Sequence, residues 1–461
     1  MRTFFLLDID CFFASVEIAL HPELRGKPLC VGGLRTDRGI VACPNYEARK
    51  YGVRTAMPLR TAARMLPSDA VFMRGSYRLY GEYSEKVMTI LRDFTPDMEQ
   101  VSVDEAYMDV TGCLHFWGHD PRRMAEAMKE RIRRECGLSV SIGAASNRVC
   151  AKIAASVNKP DGLVVIRPGT EREFLDPLPA EAVPGIGPRT LPHLHTHGIR
   201  TVRDAVTYVE RNTRAAGQYP PLHAERLRTF SLCSFIASCA LPSDEAILPH
   251  DHVEKSISRD RTFGTDTADS ERVSATLYCL AERCCKTLRQ DELLASTVTV
   301  RVRFADFTTV QKQSTLRRPS SNEEDVFAAA RRLLAALSAP GQLVRLVGVK
   351  VSNLSGAEGA QLDLGVTAAE KFGTLHRRLD GLQTRYGYDS IRWGSPAMRR
   401  SGGRNGNDRA QRRPGGTASS PPPRLEEAQH PYRSLPPLVR FLERAALPGA
   451  ARGHTGLCPA L

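Results

Sequence analysis

The chain has 461 residues, enough for about two to four domains, and its formal net charge of +13 favours a polyanionic partner over the alternative of a basic surface that binds nothing. No apolar run reaches the roughly 18 residues of a transmembrane helix, and the first residues become acidic too soon for a signal peptide. Twelve cysteines without a Cys-x-x-Cys motif are typical of reduced thiols in the cytoplasm, and argue against a disulfide framework or a zinc site.

The first predicted strand covers residues 1–10 and ends in two carboxylates. Asp8 and Asp10 are two residues apart, so a strand places both on one face, where both could reach one metal region. An amphipathic helix follows, and its Phe13 is either an ordinary core residue or, three positions beyond Asp10, a wall of a substrate pocket.

Residues 22–67 form a compact, mixed segment. It holds a strand and turn at 28–33, a short strand at 39–43, and a helix at 45–52 that ends at a glycine. Tyr46 and Arg49 lie on one face of that helix. A hydroxyl beside a guanidinium suits a triphosphate, because arginine makes planar, multidentate contacts to phosphate oxygens; the alternative is a surface pair.

Residues 101–110 carry a strong strand signal interrupted by Asp104 and Glu105. Adjacent carboxylates repel each other and oppose strand formation unless a cation holds them, and ligation by oxygen alone suits Mg²⁺. An exposed hairpin edge with two solvated charges is the alternative. Together with Asp8 and Asp10, the pair predicts a carboxylate nest for two Mg²⁺ ions, the arrangement used for nucleotidyl transfer.

The elements around this stretch predict a ferredoxin-like sheet in the order β, α, β, β, α, β. The helices are expected at 77–94 and 121–136 and the next strand at 138–142, followed by a helix at 148–157 and a closing strand at 163–166. Lys152 and Lys159 are the nearest basic residues to the carboxylates. Lys159 is the predicted triphosphate contact, because the Pro-Asp-Gly turn after it fixes its position.

The segment 183–204 has the pattern of a helix-hairpin-helix. A turn with Gly185 and Gly187 exposes backbone N–H groups that can bind a DNA phosphate without reading sequence. Pro192 is a departure, since it should shorten or bend the presumed first helix. A plain helical hairpin is the alternative.

A second β, α, β, β, α, β series follows the polar stretch at 242–249. Strands are predicted at 252–258, 296–304, 308–316 and 343–352, with helices at 269–290 and 321–337. Arg301 and Arg303 lie on one strand face, and Arg345 and Lys350 add positive charge. Such a sheet can lie along a duplex backbone, with an affinity that falls as salt rises.

Four motifs carry a resemblance to a known family: DIDCFFASVE at 8–17, NYEARKYGV at 45–53, SVDEAYMD at 102–109 and NKPDG at 158–162. In this order and spacing they resemble the Y-family translesion DNA polymerases, in particular the bacterial DNA polymerase IV or DinB type, over roughly residues 1–355. The resemblance implies an α+β, right-hand polymerase. It places a palm at 1–10 and 75–166, fingers at 11–74, a helical thumb at 167–240 and a little finger at 245–355.

The resemblance also implies an activity and a set of site residues. The activity is template-directed DNA synthesis from dNTPs across damaged bases, without a proofreading exonuclease. Asp8, Asp104 and Glu105 match the family's metal-binding carboxylates, with the Ile9 carbonyl as a further ligand, and Phe13 matches the steric gate against a ribonucleotide 2′-OH. Tyr46, Arg49 and Lys159 match the triphosphate contacts. Asp10 matches a motif position and is assigned a lesser role.

The C-terminal part adds a possible protein partner. Gln361, Leu362 and Leu364 resemble the peptide by which bacterial polymerases bind the sliding clamp, although Gly365 stands where such motifs usually continue to phenylalanine. Residues 356–395 are expected to hold this peptide and a helix, and 396–461 to form a basic, disordered tail. We expect a cytoplasmic monomer without a membrane contact.

Three rival interpretations remain open. A non-catalytic adaptor related to this family lacks the palm carboxylates, whereas Asp8, Asp104 and Glu105 are present here. A nucleotide cyclase also carries two carboxylates on a ferredoxin-like sheet, but needs neither a helix-hairpin-helix nor a second basic sheet. A UmuC-like polymerase is the closest rival, and the Cys-Phe-Phe sequence at 11–13 favours the DinB type.

Overall fold

The computed structural model of the chain describes residues 2–215, 224–241, 247, 254–339, 341–356, 378–382 and 385. The predicted clamp peptide, the predicted tail at 396–461 and the start of the strand predicted at 252–258 lie outside these residues.

The secondary structure of the N-terminal part alternates short strands and helices. In chain order the elements are β1 Phe4–Ile9, α1 Phe12–Leu20, β2 Leu29–Val31, β3 Cys43–Pro44, α2 Tyr46–Lys50, α3 Leu59–Met65, β4 Val71–Met73, α4 Tyr77–Arg92, β5 Met98–Gln100, β6 Glu105–Asp109, α5 Pro121–Cys136, β7 Val140–Ala145, α6 Arg148–Val157 and β8 Leu163–Val165.

The C-terminal part begins with helices and continues with a second sheet. Its elements are α7 Glu171–Leu175, α8 Leu191–Thr196, α9 Val202–Ala215, α10 Ala224–Ser238, β9 Ser256–Thr267, α11 Ser270–Gln290, β10 Leu293–Phe304, β11 Thr309–Ser320, α12 Glu323–Ala335 and β12 Val344–Gly356. No helix among the described residues is long and apolar enough to cross a membrane.

The first sheet confirms the ferredoxin-like prediction. Its strand order is β5-β6-β1-β7-β8, and β1 pairs antiparallel with both β6 and β7. Strand β1 is apolar without alternation because both of its faces are covered. Phe5 and Leu7 face the core under α4 and α5, whereas Phe4 and Leu6 face α6 and the helices that follow. Burial on both faces holds β1 in the middle of the sheet and so fixes the position of its end.

Helix α6 packs unusually close to β7, and Gly143 permits it. A Cβ at this position would lie 2.0 Å from the Ala151 carbonyl oxygen and 2.3 Å from the Ala155 nitrogen. Gly143→Ala is therefore expected to lower the free energy of unfolding by about 3 kcal/mol or more, since backbone atoms must move apart. Urea unfolding followed by circular dichroism measures it.

The matched control is Gly81→Ala within helix α4. A Cβ there meets nothing within 4 Å, and Gly81 has no positive φ. We expect this control to be neutral or to stabilise the protein by up to about 1 kcal/mol. Equal unfolding midpoints for the two variants would contradict the close packing of α6 on β7.

The predicted fingers segment, residues 11–74, contains a small sheet with the order β3-β2-β4. The strand predicted at 39–43 is wrong: residues there make only one isolated bridge, Ile40 to Pro58, and β3 begins at Cys43. The sequence offered a β-branched pair but no alternation to keep it in a ladder. The helix predicted at 45–52 is confirmed as α2, and the Asn45 side chain caps it by accepting from the Ala48 amide at 3.0 Å.

The helices after β8 agree with the prediction at Pro192, because the first helix is short. Helix α8 has six residues and begins only at Leu191, so Pro192 occupies its first turn, where a missing N–H costs nothing. The glycine turn precedes α8, and Gly185 has a φ of 95°, which favours glycine. Phosphate binding by Gly185 and Gly187 remains a prediction.

The second sheet has the predicted element order, and its strands lie in the order β11-β10-β12-β9. Its strands run longer than the sequence signal: β9 extends to Thr267 and β11 to Ser320. A side-chain pair joins this unit to the fingers segment. Arg38 donates to Asp266 at 2.7 Å, and to the Phe263 carbonyl at 3.3 Å.

Candidate active site

The carboxylates Asp8 and Glu105 meet where strand β1 ends and strand β6 begins, and this end of the first sheet is called the sheet edge below. They are direct partners in the β1–β6 register, and the Ile9 amide donates to the Asp104 carbonyl at 2.9 Å. The strand predicted over 101–110 is too long, because β6 begins only at Glu105. The Ser102 hydroxyl instead turns the preceding residues by accepting from the Glu105 amide at 2.9 Å. Asp104 therefore projects from a turn beside the strand end.

Two lysines neutralise this edge. The Lys152 ammonium donates to both oxygens of Glu105, at 2.8 and 2.7 Å, and Lys159 forms an ion pair with Asp8. Lys152 reaches Glu105 from helix α6, whereas Lys159 reaches Asp8 from the turn after it. The structure thus brings Lys159 to the predicted site and gives Lys152 a direct contact with it.

The surroundings shift the pKa values of the three carboxylates in different directions. Burial raises the pKa of Asp8 to about 7, with the nearby Glu105 adding to the shift and Lys159 opposing it. Burial also raises the pKa of Asp104, although the Ser102 hydroxyl partly counteracts it. For Glu105, burial favours the neutral acid, but Lys152 outweighs it and holds the pKa below its usual range.

The carboxylate oxygens suit a hard cation, although in this structure Lys152 and Lys159 bind to two of the carboxylates. Among the described residues no three His, Cys, Asp or Glu side chains are grouped as a ready metal site. Asp8, Asp104 and Glu105 nevertheless offer oxygen donors alone at one strand edge, which is the chemistry that Mg²⁺ prefers. Burial raises the pKa of Asp8 and of Asp104 because it disfavours their charged forms, and a bound cation would stabilise those charged forms. The residues therefore fit a divalent ion that displaces the two ammonium groups.

Asp10 directly follows Ile9, the last residue of strand β1. Its carboxylate bonds to the face of the sheet on which Asp8 lies, because Ser141 is the cross-strand partner of Asp8 and its hydroxyl donates to Asp10. The Asp10 carboxylate is 1% exposed and accepts hydrogen bonds from Ser139, Ser141 and the Asp161 amide. Its lone pairs are therefore used within the protein.

Tyr46 and Arg49 lie together as predicted. The Arg49 guanidinium stacks over the Tyr46 ring at 5.0 Å, and its Nε donates to the Pro44 carbonyl at 3.2 Å. The Tyr46 hydroxyl donates to Asp10 over a long 3.4 Å. Both residues therefore belong to the same neighbourhood as β1, and remain predicted triphosphate contacts.

Phe13 is both buried and held by aromatic neighbours. Its ring stacks on Tyr80 with centroids 4.3 Å apart and planes at 13°, and Tyr77 meets it edge-on at 5.6 Å. Only 6% of Phe13 is exposed, so its ring has little freedom to turn aside. The two alternatives at this position, core residue and pocket wall, are compatible.

Three of the four basic residues predicted to bind DNA lie on one face of the second sheet: Arg301 and Arg303 are two residues apart on β10, and Lys350 pairs with Thr299 of the same face. Arg301 is paired with Asp260 at 3.1 Å, and Arg303 donates to the Thr309 hydroxyl at 2.8 Å. Arg345 lies at a strand irregularity, where its guanidinium stacks on Phe307 at 4.3 Å, while Lys350 is exposed. Arg345 is therefore the one of the four that lies apart, at the end of the sheet.

The sequence interpretation missed the partners of Asp10, although a signal was present. Ser139 and Ser141 alternate with apolar residues in strand β7 and its approach, so they lie on one face of a buried sheet. Buried hydroxyls need partners, and an acidic residue at the end of the neighbouring strand could have been proposed as that partner.

Comparison with known proteins places this geometry in a family. The sequence model of the impB/mucB/samB family matches residues 7–156, and that of the family's C-terminal domain matches residues 254–364. DNA polymerase IV of Dehalococcoides mccartyi strain CBDB1 is 39% identical over 391 residues, covering 84% of this chain and 96% of that protein. DNA polymerase IV of Streptomyces coelicolor is 40% identical over 365 residues, covering 79% and 73%.

Solved structures agree. A Y-family DNA polymerase chimera superimposes with a TM-score of 0.62 at 27% identity, covering 77% of this chain and 99% of its own. An insertion ternary complex of Dbh DNA polymerase gives a TM-score of 0.51 at 28% identity, with the same two coverages.

The fold is that of a DNA-directed DNA polymerase of the right-hand type. The chain belongs to the Y family, the impB/mucB/samB family of translesion polymerases, and within it to the DNA polymerase IV or DinB type. Catalysis in this family depends on divalent metal ions.

Proposed function

We propose that this chain extends a primer 3′-OH on a DNA template with dNTPs, using two Mg²⁺ ions, at the edge formed by Asp8, Asp104 and Glu105. The observation that carries the proposal is the pairing of Asp8 with Glu105 across two strands of a rigid sheet, each neutralised by a lysine. A cation requirement is built into such an edge, because three carboxylates there need positive charge whenever the lysines leave.

Two bound Mg²⁺ ions would lower the pKa of the primer 3′-OH and offset the charge of the triphosphate and of the leaving pyrophosphate. Asp8, Asp104, Glu105 and the Ile9 carbonyl would hold them. Lys159, once released from Asp8, donates to the triphosphate, and Arg49 neutralises charge that develops on the phosphates. The stacked Phe13 ring closes the side of the pocket where a ribose 2′-OH would project.

The remaining parts of the proposal concern organisation and accuracy. A palm at 1–10 and 75–166, fingers at 11–74, a thumb at 167–240 and a little finger at 245–355 would surround primed DNA. Short strands in the fingers segment enclose the nascent pair loosely, which supports low fidelity and lesion bypass. We propose a monomer that works in the cytoplasm without a proofreading exonuclease, with sliding-clamp binding through Gln361–Leu364 as a further element.

Extension of a primed DNA template by the wild-type chain, with Mg²⁺ and four dNTPs, tests the proposal. Templated, distributive products are expected. A folded, DNA-binding protein that gives no templated product would contradict the proposal and favour the interpretation as a non-catalytic adaptor.

Metal affinity is expected to depend on pH through Asp8. Because the pKa of Asp8 is raised from 3.8 to about 7, a metal ion must displace a proton below pH 7. The dissociation constant for Mg²⁺ should be flat above pH 7.5 and rise about tenfold per pH unit below 7. Calorimetric titration between pH 5.5 and 8.5 measures it.

The weaker Mg²⁺ binding below pH 7 would not be explained by a loss of folding stability that arises from protonation of Asp8. An acid whose folded pKa is raised binds its proton more tightly in the folded state, so it stabilises the metal-free protein as the pH falls from 7. Asp8→Asn is the control, and its residual metal affinity should lose this pH slope. A wild-type affinity that stays constant from pH 6 to 8 would refute the assignment.

A further inference from the structure

The most completely bonded carboxylate near the active site is Asp10, which holds no position in the proposed metal chemistry. One oxygen accepts from the Ser141 hydroxyl at 2.8 Å, and the other accepts from the Ser139 hydroxyl at 2.8 Å and from the Asp161 amide at 2.7 Å. The backbone is also bound, since the Asp10 amide donates to the Ser139 carbonyl at 3.1 Å. With 1% exposure, these bonds form away from water.

These bonds join strand β1 to the turn that carries Lys159. The amides of Asp161 and Gly162, the two residues after Pro160, are held by the Asp10 carboxylate and by the Ser141 hydroxyl, the latter at 3.1 Å. On its outer side the same turn is held by Arg133, which donates to both oxygens of Asp161 at 2.8 Å. Contacts on opposite sides therefore fix the turn. The inner contact is made by Asp10, which lies two residues after Asp8 in the sequence.

We propose that Asp10 is a positioning residue for the incoming nucleotide, acting through Lys159. The carboxylate fixes the turn so that the Lys159 ammonium stays beside Asp8 and meets the triphosphate there. The Tyr46 hydroxyl also donates to Asp10 over a longer distance, so the same carboxylate helps to position helix α2. The proposal rests on the proposed function, because it assigns Lys159 to the triphosphate.

The buried position makes the energetic consequence large. A buried carboxylate that accepts three short hydrogen bonds stabilises one arrangement of its donors, and its removal leaves the Asp161 amide without that acceptor. Asp10→Ala is expected to weaken dNTP affinity about tenfold. Asp10→Asn should recover most of this loss, since an amide oxygen still accepts from the Asp161 amide while the NH₂ group donates to a hydroxyl.

The experiment measures dNTP affinity in two ways. One is KM and kcat for single-nucleotide extension; the other is equilibrium dNTP binding to the enzyme on a template whose primer ends in a dideoxynucleotide, so that no chemistry follows. We expect both measures of affinity to fall in Asp10→Ala while the affinity for primed DNA stays at the wild-type value. A loss of DNA affinity equal to the loss of dNTP affinity would contradict the proposal.

A double-mutant cycle separates positioning from general damage. If Asp10 acts through Lys159, then Asp10→Ala should change dNTP affinity by less than about twofold once Lys159→Ala is present. Additive losses would overturn the proposal. The matched control is Asp109→Ala, which removes another buried carboxylate of the same sheet, one that binds Arg2 and Thr111 instead. Its dNTP affinity should equal that of the wild type.

A second variant, Ser141→Ala, tests the same proposal if Asp10→Ala does not fold. Ser141→Ala removes the hydroxyl that accepts from the Gly162 amide, so it loosens the same turn and leaves the carboxylate in place. It should weaken dNTP affinity by about threefold, and a folded Ser141→Ala with wild-type affinity would overturn the proposal. Failure of the proposed function is distinct, because the wild type itself would then give no templated product.

Discussion

Extension of a primed template is expected to fall by at least about 10³-fold when Asp104 and Glu105 are both replaced by alanine, because the reacting phosphates then lose the charges that stabilise the transition state. The two residues supply two of the three carboxylates at the sheet edge, and Asp8 alone cannot hold two divalent ions. Single-turnover extension with excess enzyme measures the loss, and a melting curve establishes that the variant is folded.

The matched control for this double variant is Glu82→Ala with Glu85→Ala. These glutamates lie on helix α4 of the same unit, and both side chains are more than half exposed in ion pairs with Arg78 and Arg92. Such surface pairs contribute at most about 1 kcal/mol, so extension should remain at the wild-type level. A folded Asp104→Ala, Glu105→Ala protein that still extends primers would sink the two-metal assignment.

Discrimination against ribonucleotides is expected to fall by about 10²-fold in Phe13→Ala. The Phe13 ring cannot move away from a 2′-OH, because Tyr80 stacks on one side of it and Tyr77 meets its edge. Removing the ring opens the space that the hydroxyl needs. The ratio of kcat/KM for dCTP to that for CTP, opposite template dG, measures the effect, while extension with dCTP alone should remain within about tenfold of the wild type.

Phe12→Leu is the control for this second prediction. Phe12 is the neighbouring aromatic residue of helix α1, with only 3% exposure, and it packs in the same core. A leucine there disturbs the core to a similar degree without changing the ring at position 13. The sugar preference should not change. Equal loss of discrimination in both variants would attribute the effect to general loosening of the core.

Much of the fold followed from the sequence because local signals and tertiary structure agreed. The amphipathic pattern of residues 77–94 appears as α4, and the proline before residues 122–136 begins α5. Disagreement arose where a side chain overrides the backbone preference. Val101 and Val103 favour a strand, yet the Ser102 hydroxyl bonds to nearby amides and keeps this segment out of the ladder.

The site was predictable in residue type more than in arrangement. Asp8, Asp104 and Glu105 could be named because paired carboxylates oppose the strand preference around them. The roles of Asp10 and Lys152 could not, since each depends on a partner that is distant in sequence: Asp161 in the first case and Glu105 in the second. Periodicity assigns a face within one element but not the residue opposite it in the fold.

The two lysine–carboxylate pairs couple cation binding to nucleotide binding at the proposed site. A divalent cation bound there would replace the ammonium group at Asp8 or at Glu105. The released ammonium of Lys159 would then need an anion, which the triphosphate would supply. Metal and nucleotide would therefore assist each other's binding, and by thermodynamic reciprocity each would raise the other's affinity by the same factor. Such a site would bind its cations weakly until a nucleotide is bound.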